Sequence, residues 1–94
     1  MPQVDMTPEA RSQYLGLPSD IANRFDEVMA FLEINPHRLP PWCEVKSIGR
    51  KGGKEVFRAR VGAYRATYVF DGFILRFTRF RLRTDIGYTA LPKA

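Results

Sequence analysis

The sequence predicts an α+β fold in which a short N-terminal strand and a helical hairpin pack on one face of a twisted antiparallel sheet, in the order β-α-α-β-β-β. Apolar residues recur with the period of a helix between residues 19 and 34, whereas they alternate with polar residues from residue 55 onward. A segment rich in proline and glycine separates the two patterns. A chain of 94 residues is long enough for one core, so residues 1–94 are predicted to form a single domain.

The first two elements are predicted at residues 3–6 and 8–15. The segment QVDM at 3–6 is typical of a short strand. Thr7 suits the N-cap of the helix that follows, Pro8 its first position and Glu9 its positively polarised first turn. A glycine and a proline shortly after this segment end the helix.

A second helix is predicted to begin with Ser19 as its N-cap and Asp20 in its first turn. Asn35 ends it, because a residue that precedes proline is disfavoured in helical geometry. Apolar residues at helical spacing define a face that a sheet can cover. They are Ile21, Phe25, Val28, Met29 and Leu32.

Residues 36–54 are predicted to be a connection, with a little extended structure at residues 44–48. From Glu55 the chain alternates, turns at Gly62-Ala63, alternates again, turns at Asp71-Gly72 and alternates once more. This pattern predicts three antiparallel strands joined as a meander.

The turns determine which side chains of the meander share a face, because successive residues of a strand point to opposite sides. One face is predicted to be core: Phe57, Ala59, Val61, Tyr64, Ala66, Tyr68, Phe70, Phe73, Leu75 and Phe77. The other is predicted to carry Arg58, Arg60, Arg65, Thr67, Arg76 and Thr78. The alternation then fails, which predicts a bulge near Thr78 or Arg79 that turns the later arginines toward the basic face.

The positive charge lies in the C-terminal half of the chain. Residues 1–36 contain two arginines and six acidic residues, whereas residues 37–83 contain three lysines and nine arginines against three acidic residues. Arginine has a planar guanidinium that suits bidentate contacts with phosphate. Because like charges on neighbouring strands repel one another, their clustering predicts a nucleic acid or another polyanion as partner.

Composition excludes several other classes of protein. The single cysteine, Cys43, permits no internal disulfide, and with a single histidine, His37, the usual ligand cluster of a metal site is missing. The lone histidine also excludes a two-histidine ribonuclease mechanism. No apolar run has the length of a membrane span, and no secretory signal pattern is visible. We therefore expect a soluble cytoplasmic protein that uses no metal and no cofactor.

The order of elements and one motif resemble the RelE/ParE superfamily of toxins from bacterial and archaeal toxin–antitoxin systems. The most specific element is RVGAYR at residues 60–65, which is similar to the family's R-V-G-x-Y-R signature. The resemblance extends from Val4 to Tyr88 and implies a RelE-like fold. The C-terminal element RTDIGY departs from the family pattern, because leucine precedes Arg83 and Tyr88 comes one residue late.

In the RelE branch, such toxins cleave mRNA in the ribosomal A site without metal, by attack of a ribose 2′-hydroxyl on the adjacent phosphate. The resemblance therefore implies an endoribonuclease that acts through cations around the phosphate. The positions that match the family's functional residues are Arg58, Arg60, Arg65, Arg81 or Arg83, and Tyr88. RelE-type enzymes generally have lysine at Arg58 and Arg60. Because a guanidinium stays protonated at neutral pH, these two are expected to hold phosphate rather than to act as a base.

The resemblance also implies partners, namely a small antitoxin protein, the ribosome and mRNA. Two alternatives to an mRNA interferase stay open. One is a ParE-like inhibitor of DNA gyrase, which shares the fold and is not an enzyme. The other is a catalytically degenerate member that binds only nucleic acid or its antitoxin. The missing lysines favour the gyrase inhibitor, whereas the arginines at the RNA-facing positions favour the translation-inhibiting endonuclease.

Overall fold

The computed structural model describes residues 3–82. Their elements are β1 (Gln3–Met6), α1 (Pro8–Leu15), α2 (Ser19–Ile34), β2 (Glu44–Lys51), β3 (Lys54–Val61), β4 (Tyr64–Phe70) and β5 (Ile74–Leu82). The strands form one sheet in the order β1-β5-β4-β3-β2, and the helices cover one of its faces. The predicted α+β class is confirmed. Neither helix in this range is long and apolar enough to cross a membrane.

The sheet is mixed rather than antiparallel throughout. Strands β2 to β5 form an antiparallel meander, but β1 pairs with β5 in parallel, with Val4 opposite Leu75. Most of the chain lies between these two strands, so no local turn pattern in the sequence predicts that they pair. The two helices lie between β1 and β2 in the sequence, and they cross one face of the sheet to join these two strands at its opposite edges.

The predicted connection at residues 36–54 contains a complete strand, β2, so the expected extended piece at 44–48 was too short. All eight residues of β2 are exposed, and its sequence therefore lacks the apolar alternation that identifies a half-buried strand. Gly52 and Gly53 form the turn into β3 with φ angles of 59° and 80°, a conformation that glycine adopts without strain in a tight hairpin.

The predicted N-cap is confirmed for α1 and wrong for α2. The Thr7 hydroxyl accepts a hydrogen bond from the Ala10 N–H at 3.1 Å. In α2, Ser19 is already the first helical residue, and Pro18 occupies the cap position without a side-chain hydrogen bond. Proline has no N–H and a fixed φ, so its extended backbone can lead directly into a helix. At the other end Asn35 is extended, with φ −149°, as expected before proline.

Packing between the helices and the sheet confirms most of the predicted core face. The buried apolar residues of the sheet are Ala59, Val61, Ala66, Tyr68, Leu75, Phe77 and Phe80. They meet Phe25, Val28 and Leu32 of α2 and Ala10 of α1. Phe25 packs edge-on against Phe80, with ring centroids 5.1 Å apart. Full burial of each such ring stabilises the fold by about 1.5–3 kcal/mol.

Phe73 was predicted to lie in the core, and this prediction was wrong. Its side chain is 80% exposed, at the tip of the β4–β5 turn. The Asp71 carboxylate accepts hydrogen bonds from the N–H groups of Phe73 and Ile74, each at 2.8 Å, and these bonds hold its pKa below the ordinary value. The turn is therefore centred on Gly72 and Phe73, one residue later than predicted.

The bulge predicted near Thr78 or Arg79 is confirmed. Tyr68 pairs with Phe77, but Thr67 pairs with Arg79, so Thr78 is the extra residue on β5. After the bulge, Phe80 points to the core and Arg81 to the opposite face. Because of this extra residue, even-numbered residues after the bulge, such as Phe80, point to the core, whereas odd-numbered residues, such as Phe77, do so before it.

Gln13 of α1 holds the part of β5 that extends beyond the end of β1. Its Oε1 accepts a hydrogen bond from the Phe80 N–H at 2.7 Å, a backbone group that has no neighbouring strand on that side. We predict that Gln13→Ala lowers the free energy of unfolding by about 1–3 kcal/mol, because the partly buried N–H loses its partner. Urea unfolding at neutral pH measures this. Gln13→Glu keeps an acceptor and should stay close to wild type; equal losses in both variants would contradict the prediction.

Tyr68 should make the fold sensitive to alkaline pH. Its ring lies between Phe57 and Phe77, and burial raises the pKa of its phenol well above the ordinary value. A raised folded-state pKa means that the stabilisation is complete below the unfolded pKa and is lost as the pH rises above it. We predict a loss of about 1.4 kcal/mol for each pH unit above about 10. Urea unfolding at increasing pH should show a shallower decline in Tyr68→Phe; identical declines would contradict this.

Candidate nucleic-acid interface

Four residues lie in one line across the sheet on the face opposite the helices. The register places Glu44 opposite Arg60, Arg60 opposite Arg65, and Arg65 opposite Arg81. We call this line of Glu44, Arg60, Arg65 and Arg81 the first row. Neighbouring strands are about 4.8 Å apart, so three guanidinium-bearing side chains stand on adjacent strands of β3, β4 and β5.

A second row runs parallel to the first, two residues further along each strand. Lys46 lies opposite Arg58, Arg58 opposite Thr67, and Thr67 opposite Arg79. Two residues of a strand span about 6.6 Å, which is the distance between the rows. We refer to the two rows together as the arginine face. The predicted sharing of one face by Arg58, Arg60, Arg65 and Thr67 agrees with this register.

A shallow depression of about 450 Å³ lies where the rows cross β2, β3 and β4. Its lining residues are Glu44, Val45, Lys46, Arg58, Arg60 and Arg65. Four cations therefore surround this space and one carboxylate faces it. We call it the first depression. Like charges held this close favour an anion that screens them, and guanidinium groups bind phosphate oxygens in a bidentate manner.

Ion pairs neutralise part of the positive charge on this side of the sheet. Arg60 Nη1 lies 3.4 Å from Glu44 Oε1, and Arg76 Nε lies 3.6 Å from Asp5 Oδ2. Both pairs are exposed enough to be weak, since exposed ion pairs contribute about 0–1 kcal/mol. An incoming phosphate can therefore compete for Arg60 at little cost.

Two acidic residues of the meander, Glu55 and Asp71, do not lie on the arginine face. Glu55 lies in β3 among the positions that point to the helical face, an odd number of residues from Arg58 and Arg60. Asp71 accepts the backbone hydrogen bonds of the β4–β5 turn.

The structure brings together four of the residues predicted from sequence, namely Arg58, Arg60, Arg65 and Arg81. The predicted Arg83 and Tyr88 lie outside the described residues. Sequence reasoning missed Glu44 and Lys46, because β2 was taken mainly as a connection. The alternation Glu44-Val45-Lys46-Ser47 was the available signal, since it places both charged residues on one side of an extended segment.

Cys43 directly precedes Glu44 of the first row, but it belongs to the core cluster and is not suited to nucleophilic chemistry. The thiol is buried, and its Sγ donates toward the Arg60 carbonyl oxygen at 3.5 Å. Burial raises the pKa of this thiol, which keeps it protonated at neutral pH. Within residues 3–82, no group of three His, Cys, Asp or Glu side chains is arranged to hold a metal ion.

The fold matches those of solved toxin–antitoxin proteins. No protein-family model matches the chain, and no curated protein sequence matches it. A chain of the archaeal RelE–RelB complex from Pyrococcus horikoshii is 23% identical, with a TM-score of 0.75 over 87% of this chain and 94% of that one. A chain of the RelB–RelE antitoxin–toxin complex from Methanococcus jannaschii is 22% identical, with a TM-score of 0.71 over 93% and 98%. One from the E. coli DinJ–YafQ complex is 16% identical, with a TM-score of 0.65 over 98% and 99%. These likenesses establish a RelE-like fold.

Proposed function

We propose that this chain is a RelE-type toxin that cleaves mRNA on the ribosome and binds the scissile phosphate on its arginine face. The observation that carries the proposal is the convergence of Arg58, Arg60 and Arg65 around one depression, with Arg81 next in the first row. The RelE-like fold supports it, because the solved proteins that share the fold include toxin components of toxin–antitoxin complexes. Function on the ribosome requires a cytoplasmic protein.

The arginines would stabilise the charge that builds on the phosphate as the reaction proceeds. The 2′-oxygen of the preceding ribose attacks phosphorus, a new P–O bond forms, and the bond to the 5′-oxygen breaks. The products are a 2′,3′-cyclic phosphate and a 5′-hydroxyl end. Arg58, Arg60 and Arg65 can each direct two N–H groups at the non-bridging oxygens, where negative charge increases in the transition state. Such cations replace the metal that many nucleases use.

Glu44 is the group in the first depression that can accept the proton of the attacking 2′-hydroxyl. Arginine cannot serve as this base, since its guanidinium remains protonated. The Glu44 side chain is 78% exposed and lies 3.4 Å from Arg60, so it faces the same space as the phosphate-binding groups. In the proposed step its carboxylate takes the 2′-hydroxyl proton, and solvent water protonates the departing 5′-oxygen.

An antitoxin is the partner that this function requires. The matched proteins from P. horikoshii, M. jannaschii and E. coli were each solved in such a complex. We propose that the partner of this chain is a small protein whose acidic segment covers the arginine face. Its carboxylates would occupy the positions of RNA phosphates, which links release of the antitoxin to exposure of the site.

The decisive experiment adds the purified chain to a translation extract and maps the ends of a reporter mRNA by primer extension. We expect new 5′ ends within codons in the ribosomal A site, and none when the same mRNA is incubated without ribosomes. Intact mRNA at a dose that stops translation would contradict the proposal. Loss of DNA supercoiling by gyrase with the same protein would instead support the ParE-like alternative.

A further inference from the structure

A second depression, of about 530 Å³, opens at the margin of the arginine face. Its lining residues are Thr7, Pro8, Glu9, Thr67, Thr78 and Arg79. None of them lines the first depression. Nothing in the chemistry proposed above uses this space.

The second depression exists because β1 is shorter than β5. β1 ends at Met6, opposite Phe77, and the chain then turns into α1 after the Thr7 N–H donates to the Phe77 carbonyl oxygen at 2.9 Å. β5 continues past this point through the bulge at Thr78. The start of α1 forms one wall of the resulting notch, and the bulged strand with Thr67 forms the other.

The lining of this notch differs from that of the first depression in a way that disfavours phosphate. It has one cation, Arg79, balanced by one carboxylate, Glu9, together with three threonine hydroxyls. The Thr7 hydroxyl accepts from the Ala10 N–H, and the Thr78 hydroxyl donates to the Thr67 carbonyl oxygen at 3.4 Å. The carboxylate would repel a phosphate but accepts hydrogen bonds from the amino group of a nucleobase. The exposed guanidinium of Arg79 provides a flat surface on which a base can stack.

The second row connects the two depressions. Thr67 lies opposite Arg58, which lines the first depression, and also opposite Arg79, which lines the second. Arg58 and Arg79 are two strand spacings apart, about 10 Å across the sheet. An RNA strand that places one phosphate in the first depression can therefore place a neighbouring base in the second.

We infer that the second depression is a base-binding subsite which favours a nucleotide with an exocyclic amine, in adenine, cytosine or guanine, over uracil. Glu9 accepts from the amine, Arg79 stacks on the base, and the Thr67 hydroxyl bonds to its remaining edge. The inference deepens the proposed function and rests on it, since it assumes that RNA binds across the arginine face. The arginine rows contact the RNA phosphates and provide affinity, whereas this notch contacts a base and provides sequence preference.

Binding to short fluorescent oligoribonucleotides tests the subsite without cleavage. Anisotropy should show oligo(A) and oligo(C) binding about fivefold or more tightly than oligo(U) of equal length. Glu9→Ala should reduce that ratio to about one. The matched control Glu33→Ala removes the same charge from an exposed site on α2 and should keep the ratio. Arg58→Ala should weaken binding to all three RNAs by a similar factor, because it removes a phosphate contact.

The inference is overturned if Glu9→Ala discriminates among the RNAs as wild type does, or if wild type binds all three equally or binds none. Circular dichroism of each variant verifies that it is folded. Mapping the mRNA ends in translation extract gives a second, independent measurement of base preference. Cuts whose base preference is the same in wild type and Glu9→Ala would overturn the subsite and leave the proposed function standing, whereas absence of cuts would overturn the function.

Discussion

Replacing Arg65 with alanine is expected to lower the rate of mRNA cleavage about 10²–10³-fold, the loss typical of removing one preorganised donor from a charged transition state. Arg65 lies in the middle of the first row, opposite both Arg60 and Arg81, and it lines the first depression. A phosphate bound in that depression, as proposed above, would lie within reach of its guanidinium. Primer extension on a reporter mRNA in translation extract measures the rate.

Two further variants separate the geometry of Arg65 from its charge. Arg65→Lys keeps the positive charge but loses the planar fork, so we expect an intermediate rate. Arg11→Ala removes one positive charge from an exposed position on α1, in the layer on the other face of the sheet, and should cleave like wild type. If Arg65→Ala retained full activity, the phosphate site would have to lie elsewhere on the molecule.

Glu44→Gln is expected to move binding and cleavage in opposite directions. Loss of the general base should lower the cleavage rate about 10²–10⁴-fold. The same change removes a negative charge from a depression lined by four cations and frees Arg60 from its ion pair, so affinity for RNA should stay equal or increase. Single-turnover cleavage on programmed ribosomes and anisotropy with oligoribonucleotides measure the two effects.

The opposite signs distinguish a base from a structural residue. A variant that only perturbed β2 would lose binding and cleavage together. Glu44→Asp retains a carboxylate on a shorter side chain and should recover part of the rate, while Glu33→Gln on α2 makes the same chemical change away from the site and should leave both measurements unchanged. Wild-type cleavage by Glu44→Gln would remove Glu44 from the mechanism.

The sequence alone determined the two helices and which side chains of β3 and β4 share a face. Thr7 and Pro8 marked the start of α1, and the period-two pattern after Glu55 placed Arg58, Arg60 and Arg65 on one face. These features depend on neighbouring residues: a cap bonds to the next turn of its own helix, and pleating sends alternate side chains to opposite sides. For the same reason the interrupted alternation was enough to locate the bulge at Thr78.

Only the tertiary structure decided which distant segments meet. The parallel pairing of β1 with β5, the hydrogen bond from Phe80 to Gln13 and the position of Glu44 opposite Arg60 join parts of the chain that no local pattern relates. β2 was hardest to recognise, because a strand exposed along its whole length carries no apolar period. It lies at the edge of the sheet, held by hydrogen bonds to β3, and so brings the carboxylate to the arginines through backbone pairing rather than through burial of its own side chains.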